Sequence, residues 1–179
     1  MFRRRKDSMA QLLDLLVFLI PIYVANSSPV VLGGGAPLDF GARLPDGKRV
    51  LGDGKTIRGF IGGTLAGIVF GGIAALLYPL PFFADAQMQF LAAFVLAFGT
   101  LCGDSLGSFI KRRAGVEWGK PFVLDTIMFL VVALAFVFPL ANRSLYEPMN
   151  LVFFAVLTVI LHPLTNMLAN RAGLKNVPW

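Results

Sequence analysis

The sequence is poor in the residues that build disulfides, thiolate clusters and histidine sites. It contains one cysteine, Cys102, and one histidine, His162. A single cysteine excludes an intramolecular disulfide framework and a thiolate metal cluster, and its position in an apolar run predicts that it packs. His162 precedes a proline in an apolar segment, which is more typical of a hydrogen-bonded structural residue than of a catalytic one. We therefore assign it no role from the sequence.

Charge is also scarce. Only 15% of the 179 residues are charged and 56% are hydrophobic, with a mean hydropathy of +0.74. This profile excludes an ordinary soluble domain. The sequence predicts an all-α integral membrane protein, in which each of the few charged residues can be examined individually.

The hydrophobic runs predict about five transmembrane helices in one domain, 1–179, because about 20 apolar residues cross the hydrocarbon core. The first run contains Asp14 and Pro21 and follows the basic residues 3–6. It also resembles a secretory signal, but no small-x-small cleavage site follows, which favours an uncleaved span. The predicted spans are 9–25, 59–80, 88–110, 122–141 and 151–169.

Glycines recur every fourth residue in two of these spans. Such small-xxx-small ridges let two helix backbones approach closely, and Gly67 and Gly71 are expected to pack helices together. Gly59, Gly103 and Gly107 lie beside charged residues. They are expected either to pack helices or to make room for a ligand.

The basic residues are unevenly divided between the two membrane sides. With five spans, eleven lysines and arginines fall on the side of the loops 26–58 and 111–120, and five fall on the other. The positive-inside rule places those two loops in the cytoplasm, where they would form a polar site at the membrane face. The basic run 3–6 argues for the opposite orientation.

Two carboxylates lie where apolar spans meet those loops. Asp104 lies inside the third span, and Asp125 lies about one turn inside the fourth. A carboxylate at membrane depth costs roughly 3 kcal/mol by insertion scales and marks a functional site by default. The structural alternative is that Asp104 only pairs with Lys111 or Arg112 on its own helix.

The residues around the two acids indicate a phosphate site. Two carboxylates without a histidine or cysteine partner are hard oxygen ligands suited to Mg²⁺, which is often completed by substrate phosphates. Mg²⁺ and cationic side chains together stabilise a transferring phosphoryl group. The surplus cations near the acids are Lys55, Arg58, Lys111, Arg112, Arg113 and Lys120.

The stretch "GDGKT" at 52–56 suggests a nucleotide-binding P-loop but does not match one. The Walker pattern requires a glycine where this chain has Arg49, and no hydrophobic strand precedes it. The segment still suits the binding of an anion, because Gly, Lys and Thr lie near the start of a helix.

These motifs resemble a known enzyme family. "GDGKTIRGFIGG", followed by "GDSLGSFIKRR" and "PFVLD", is similar to the CTP-dependent cytidylyltransferases that make CDP-activated lipids. The loop "ANSSPVVLGGGAPLDFGARLPDGKRVLGDGKTIRG" resembles the archaeal CDP-archaeol synthases in particular. Relative to the bacterial enzymes, Arg58 replaces a glutamate, and of the bacterial run that ends in L-D-R-x-D only Leu124 and Asp125 match.

The resemblance implies a site and a reaction. Asp104 and Asp125 would hold Mg²⁺, with Asp104, Asp125, Lys55 and Lys111 as the catalytic residues. CTP would contact Lys55, Thr56, Arg58, Lys111, Arg112 and Lys120. The phosphate of 2,3-di-O-geranylgeranylglyceryl phosphate would attack the α-phosphorus of CTP, giving a CDP-activated ether lipid and pyrophosphate.

The implied reaction needs no general base, because a phosphate monoester is already a nucleophile at neutral pH. The expected partners are CTP, the prenylated lipid and the membrane, without nucleic acid and with the oligomeric state open. A small membrane transporter and another CDP-lipid-handling transferase are the alternatives. The motif of CDP-alcohol phosphotransferases, D-G-x-x-A-R, is not supplied by "DGKRV" at 46–50.

Overall fold

The computed structural model describes residues 8–116, 120 and 122–175. Within these residues the chain is helical, which confirms the predicted all-α class. The helices are α1 (Ser8–Ser27), α2 (Pro29–Leu32), α3 (Ile57–Leu77), α4 (Ala86–Arg113), α5 (Val123–Val137), α6 (the 3₁₀ turn Arg143–Tyr146) and α7 (Pro148–Arg171).

Four helical segments of the described chain are long and apolar enough to cross a membrane. They are Met9–Leu32, which combines α1 and α2, together with α3, α4 and α7. The shorter helix α5 is apolar but spans only about 22 Å at 1.5 Å per residue. This agrees with a multi-pass membrane protein of four long spans and a shorter fifth helix.

Prolines explain where the helices end differently from the predicted spans. The run 122–141 was expected to be one helix, but α5 ends at Val137, because Pro139 has no N–H with which to continue the helical ladder. Helix α3 ends at Leu77 rather than residue 80, just before Pro79. Helices α1 and α7 each contain a proline, Pro21 and Pro163, and continue past it.

The glycine ridges pack helices together, as predicted for Gly67 and Gly71. A methyl group on Gly67 would lie 2.6 Å from the Ala97 side chain of α4, and one on Gly71 would lie 2.7 Å from Ala93. These distances are too short for any larger residue. Helices α3 and α4 therefore touch along their backbones, which fixes the loop before α3 relative to the end of α4.

The largest group of buried apolar residues lies away from that loop. It joins α1, α5, α7 and the segment between α3 and α4. Within it the Phe18 ring packs edge-on against Phe82 and stacks with Phe83 and Phe154. The opposite end of the bundle, which we call the loop end, holds residues 26–58, the C-terminus of α4, the start of α5 and the end of α7. The chemistry is concentrated there.

Candidate functional site

A polar cavity of about 330 Å³ opens at the loop end of the bundle. It brings together segments that are distant in sequence, from the end of α1 to the residues after α7. The residues that line it are Asn26, Pro29, Val30, Gly54, Lys55, Asp104, Ser108, Lys111, Arg112, Lys120, Asp125, His162, Asn166, Leu174 and Lys175.

The first acid of the site, Asp104, forms an ion pair with Lys55. Asp104 lies on α4, roughly 13 Å from the C-terminal end of that helix, and Lys55 directly precedes the N-cap of α3. Both side chains are about one quarter exposed, at 23% and 25%. The structure therefore contradicts the alternative in which Asp104 pairs with Lys111 or Arg112.

The second acid, Asp125, pairs with the lysine that had been the alternative partner of Asp104. Lys111 Nζ donates to Asp125 Oδ2 at 2.5 Å, and the lysine side chain is only 10% exposed. Asp125 lies in the first turn of α5, opposite the last turns of α4. Each predicted metal-binding carboxylate therefore lies beside one predicted phosphate-binding lysine.

The glycines near these charges make close helix contacts. A methyl group on Gly103 would lie 2.6 Å from the Met128 carbonyl oxygen of α5, and one on Gly59 would lie 3.2 Å from the Pro29 side chain. Gly107 also faces α5, at 3.5 Å from Met128. Gly103 and Gly107 therefore pack α4 against α5, and so bring Lys111 close to Asp125, whereas Gly59 packs the start of α3 against Pro29. Room for a ligand beside these glycines stays a prediction.

The remaining predicted contacts divide into two groups. Arg112 and Lys120 line the cavity, whereas Thr56 and Arg58 do not. The buried Thr56 caps α3, because its Oγ1 accepts from Gly59 N at 3.1 Å. Arg58 is exposed, with its aliphatic chain beside Gly35. Contact of either residue with CTP remains a prediction.

The long loop 33–56 is ordered around Asp39, whose side chain is 2% exposed. The carboxylate accepts from Arg49 Nη2 at 2.6 Å and from the backbone N–H groups of Leu51 and Gly52. Burial of Asp39 alone would raise its pKa, but these donors favour the ionised form more strongly. They hold the pKa of Asp39 well below its ordinary value.

Arg113 attaches this loop to α4. Its guanidinium donates to the Asp46 carboxylate at 2.6 Å and to the Arg49 carbonyl oxygen at 2.5 Å. The attachment places the segment before α3 beside the last turn of α4. Lys55 and Lys111 consequently face the same cavity.

Sequence reasoning missed the wall of the cavity that α7 provides. His162, Asn166 and Asn170 recur every fourth residue on one face of α7, and Lys175 follows the helix. His162 stacks on Phe129 with ring centroids 5.5 Å apart, and Asn166 Nδ2 lies 3.0 Å from His162 Nε2. The spacing of four is visible in the sequence, but the uncharged asparagines among apolar neighbours do not by themselves indicate a site.

The cavity carries a surplus of positive charge. Among the described residues that line it, two carboxylates face five cations, Lys55, Lys111, Arg112, Lys120 and Lys175. Burial of Lys175 lowers its pKa, and the nearby Lys55 ammonium lowers it further. A site with this excess of positive charge suits a polyanion such as a nucleoside triphosphate.

The donor set fits Mg²⁺ in the way phosphate-transfer sites use it. No group of three or more His, Cys, Asp or Glu residues able to hold a metal occurs in the described part of the chain. Asp104 and Asp125 nevertheless offer carboxylate oxygens to one cavity. One or two carboxylates completed by substrate phosphates are the usual protein environment of Mg²⁺.

Comparison with known proteins gives matches over nearly the whole chain. The profile of the CarS-like family, described as CDP-archaeol synthase, matches residues 9–179. The CDP-archaeol synthase of Pyrococcus horikoshii is 45% identical over 96% of this chain and 99% of its own length. That of Pyrococcus abyssi is 47% identical over 90% and 95%.

A solved structure matches as well. It is described as an intramembrane enzyme for archaeal membrane lipids biosynthesis, and it superposes with a TM-score of 0.75 at 38% identity. The match covers 87% of this chain and 94% of that one.

Proposed function

The chain belongs to the CarS-like family of CDP-archaeol synthases, and from this premise we propose that it transfers CMP from CTP to 2,3-di-O-geranylgeranylglyceryl phosphate. The products are a CDP-activated ether lipid and pyrophosphate. The observation that carries the proposal is the cavity in which the pairs Lys55–Asp104 and Lys111–Asp125 meet at the loop end of a membrane bundle.

The position of the cavity suits a water-soluble nucleotide and a membrane lipid. Its walls include membrane helices α4 and α7 and, from loop 33–56, Gly54 and Lys55. A nucleotide can enter from the aqueous side while the lipid keeps its chains in the bilayer. The surplus cations then neutralise phosphate groups drawn from both substrates.

The transfer requires positioning and charge neutralisation more than proton transfer. A lipid phosphate oxygen forms the new bond to the α-phosphorus of CTP, and the bond from that phosphorus to the pyrophosphate oxygen breaks. Lys55 and Lys111 would bind nucleotide phosphates, with Arg112 and Lys120 beside them. The contacts that ammonium and guanidinium groups make to the leaving group strengthen as negative charge develops on it.

Asp104 and Asp125 are the residues that would hold Mg²⁺. The bound cation would supply charge neutralisation at the transferring phosphorus. Because each carboxylate lies beside a lysine, the same two points of the cavity offer oxygen ligands to a cation and N–H donors to a phosphate.

We also propose that the loop end faces the cytoplasm. CTP is a cytosolic nucleotide, and the loop side carries the larger share of lysine and arginine. The basic run 3–6, which argued for the other orientation, lies outside the described residues. Family membership does not favour a transporter.

The direct test is an assay of the purified protein in detergent or nanodiscs. Labelled CTP, Mg²⁺ and the lipid phosphate should give a labelled CDP-lipid and an equal amount of pyrophosphate. Omission of the lipid phosphate is the control. Release of CMP or pyrophosphate without a labelled lipid product would contradict the proposed transfer.

A further inference from the structure

Helix α7 presents a polar stripe to the site, although few of the side chains on this helix are buried. Only 11% of its membrane-spanning window is buried, against 50% for α4. Its outer side chains, such as Ile160, Leu164 and Leu168, are 41% to 57% exposed. The face with His162, Asn166 and Asn170 is partly buried instead, and two of these three line the cavity.

The chain beyond α7 turns back so that Lys175 reaches the cavity. Gly173 has φ of +72°, a left-handed conformation that favours glycine. Leu174 N donates to the Ala169 carbonyl oxygen at 2.9 Å, which closes the helix end. Asn170 Nδ2 then donates to the Lys175 carbonyl oxygen at 2.8 Å. The last residue of the stripe therefore holds the lysine backbone in place.

The surroundings of Lys175 distinguish it from the other cations of the site. Lys55 and Lys111 come from the loop before α3 and from α4. Lys175 enters from α7, the helix most exposed to the bilayer, next to the exposed Leu174. An apolar groove of about 630 Å³ lies between α5 and α7, further from the loop end. This side of the cavity is where a lipid would approach.

We propose that Lys175, held by Asn170 and the turn at Gly173, binds the phosphate group of the lipid substrate. The inference rests on the proposed function and adds a division of labour within the cavity. Lys55 and Lys111 serve the nucleotide, and the α7 wall serves the lipid phosphate. Polar residues on a lipid-facing helix are costly, and a phosphate ligand accounts for their position.

The test compares Lys175→Gln with Lys175→Arg and with Arg171→Gln as a matched control. Arg171 carries the same charge one turn earlier, but it is exposed and lies outside the cavity lining. Lys175→Gln should raise KM for the lipid phosphate roughly tenfold to a hundredfold, the range of one charge-assisted hydrogen bond. The KM for CTP should change by less than about threefold, since its phosphate contacts are retained. Lys175→Arg should recover most of the loss.

Asn170→Ala tests the positioning step. Loss of the contact to the Lys175 carbonyl should raise KM for the lipid phosphate without changing KM for CTP, though less than Lys175→Gln does. Thermal unfolding in detergent checks that each variant is folded. An increase in KM for CTP alone, or a Lys175→Gln enzyme equal to Arg171→Gln, would overturn the inference.

A measurement on the wild-type protein tests lipid binding at Lys175 without depending on the folding of a variant or on turnover. Lys175 is acylated with an amine-reactive ester, and the modified peptide is quantified by mass spectrometry. 2,3-di-O-geranylgeranylglyceryl phosphate, without CTP, should protect Lys175 more than CTP does; equal modification with and without the lipid contradicts the inference. Protection in a protein that forms no CDP-lipid would leave the inference intact and refute the proposed function.

Discussion

Lys55 pairs with Asp104 across 49 residues of sequence, and this contact joins the loop before α3 to the interior of α4. The lysine is therefore held in the cavity and does not extend into solvent as a simple topology signal would. The pairing also places a cation beside one of the two acids that are proposed to bind Mg²⁺. It gives the segment "GDGKT" a structural reason for its charge.

Replacement of Lys55 by glutamine should lower kcat/KM for CTP. A charge-assisted contact that strengthens in the transition state contributes roughly 2 to 4 kcal/mol, or on the order of 30-fold to 1000-fold in rate. The measurement is steady-state kinetics with both substrates varied. Lys48→Gln is the control, because Lys48 is exposed on the same loop and lies outside the cavity lining. Equal kinetics in the two variants would leave only the topology role for Lys55.

Thr56→Val should have a different effect from Lys55→Gln. Thr56 caps α3 through its bond to Gly59 N, so loss of the hydroxyl should destabilise the protein by about 1 kcal/mol. Turnover per folded molecule should fall by less than about tenfold. Thermal unfolding together with kinetics separates the two quantities. A loss of rate as large as that of Lys55→Gln would indicate that the hydroxyl also contacts the nucleotide.

Asp104→Asn and Asp125→Asn should each abolish turnover while the protein still folds. The change removes an oxygen ligand for the cation but also removes a charge that is costly at membrane depth. Size-exclusion profiles and melting curves in detergent report on folding, and the assay reports on activity. Glu147→Gln, at the opposite end of the bundle, is a matched loss of one carboxylate. Wild-type activity in either aspartate variant would refute its role as a metal ligand.

Removal of divalent cations should stop the reaction reversibly. EDTA should abolish product formation, and added Mg²⁺ or Mn²⁺ should restore it, because carboxylate and phosphate oxygens suit both ions. The melting temperature without substrate should change little, since two carboxylates alone bind Mg²⁺ weakly. Full activity in EDTA would mean that the lysines and arginines of the cavity suffice.

Parts of this site could be predicted from the sequence and parts could not. Hydrophobic runs locate the spans, and Asp104 and Asp125 stand out because charge within such runs is rare. The partners of the acids could not be predicted, since Lys111 shares a helix with Asp104 yet bonds to Asp125. That choice depends on Gly103, which lets α5 approach α4 closely.

Other features of the site could not be predicted from the sequence. The stripe on α7 has the period of a helix face, but asparagines carry no charge and did not stand out among apolar neighbours. The turn that brings Lys175 to the cavity depends on Asn170 and on the conformation of Gly173. Hydropathy predicts neither feature, because both depend on local geometry. The ordering of loop 33–56 around Asp39 is likewise a tertiary feature.

Asp39 provides a test of that loop through the pH dependence of stability. Its pKa is lower in the folded protein than in the unfolded chain, where a free aspartate titrates at about 3.9. As the pH falls, the unfolded state therefore binds more protons than the folded state. The contribution of Asp39 to the free energy of unfolding is fully present above the unfolded pKa. It is lost progressively below it, toward the folded pKa. The melting temperature of the wild type should fall over this window, roughly from pH 5 downward.

Asp39→Asn should flatten this dependence and lower stability at neutral pH by roughly 2 kcal/mol, because the Arg49 guanidinium loses its buried carboxylate partner. The control is Asp53→Asn, which removes the other carboxylate bound to the same arginine. Asp53 is 73% exposed, so its ion pair contributes at most about 1 kcal/mol and the pH profile should stay close to the wild type. Melting curves of all three proteins between pH 3 and pH 7 make the comparison. If Asp39→Asn and Asp53→Asn gave the same profile, the buried carboxylate would not be what orders the loop, and the position of Lys55 would have to depend on the attachment through Arg113 instead.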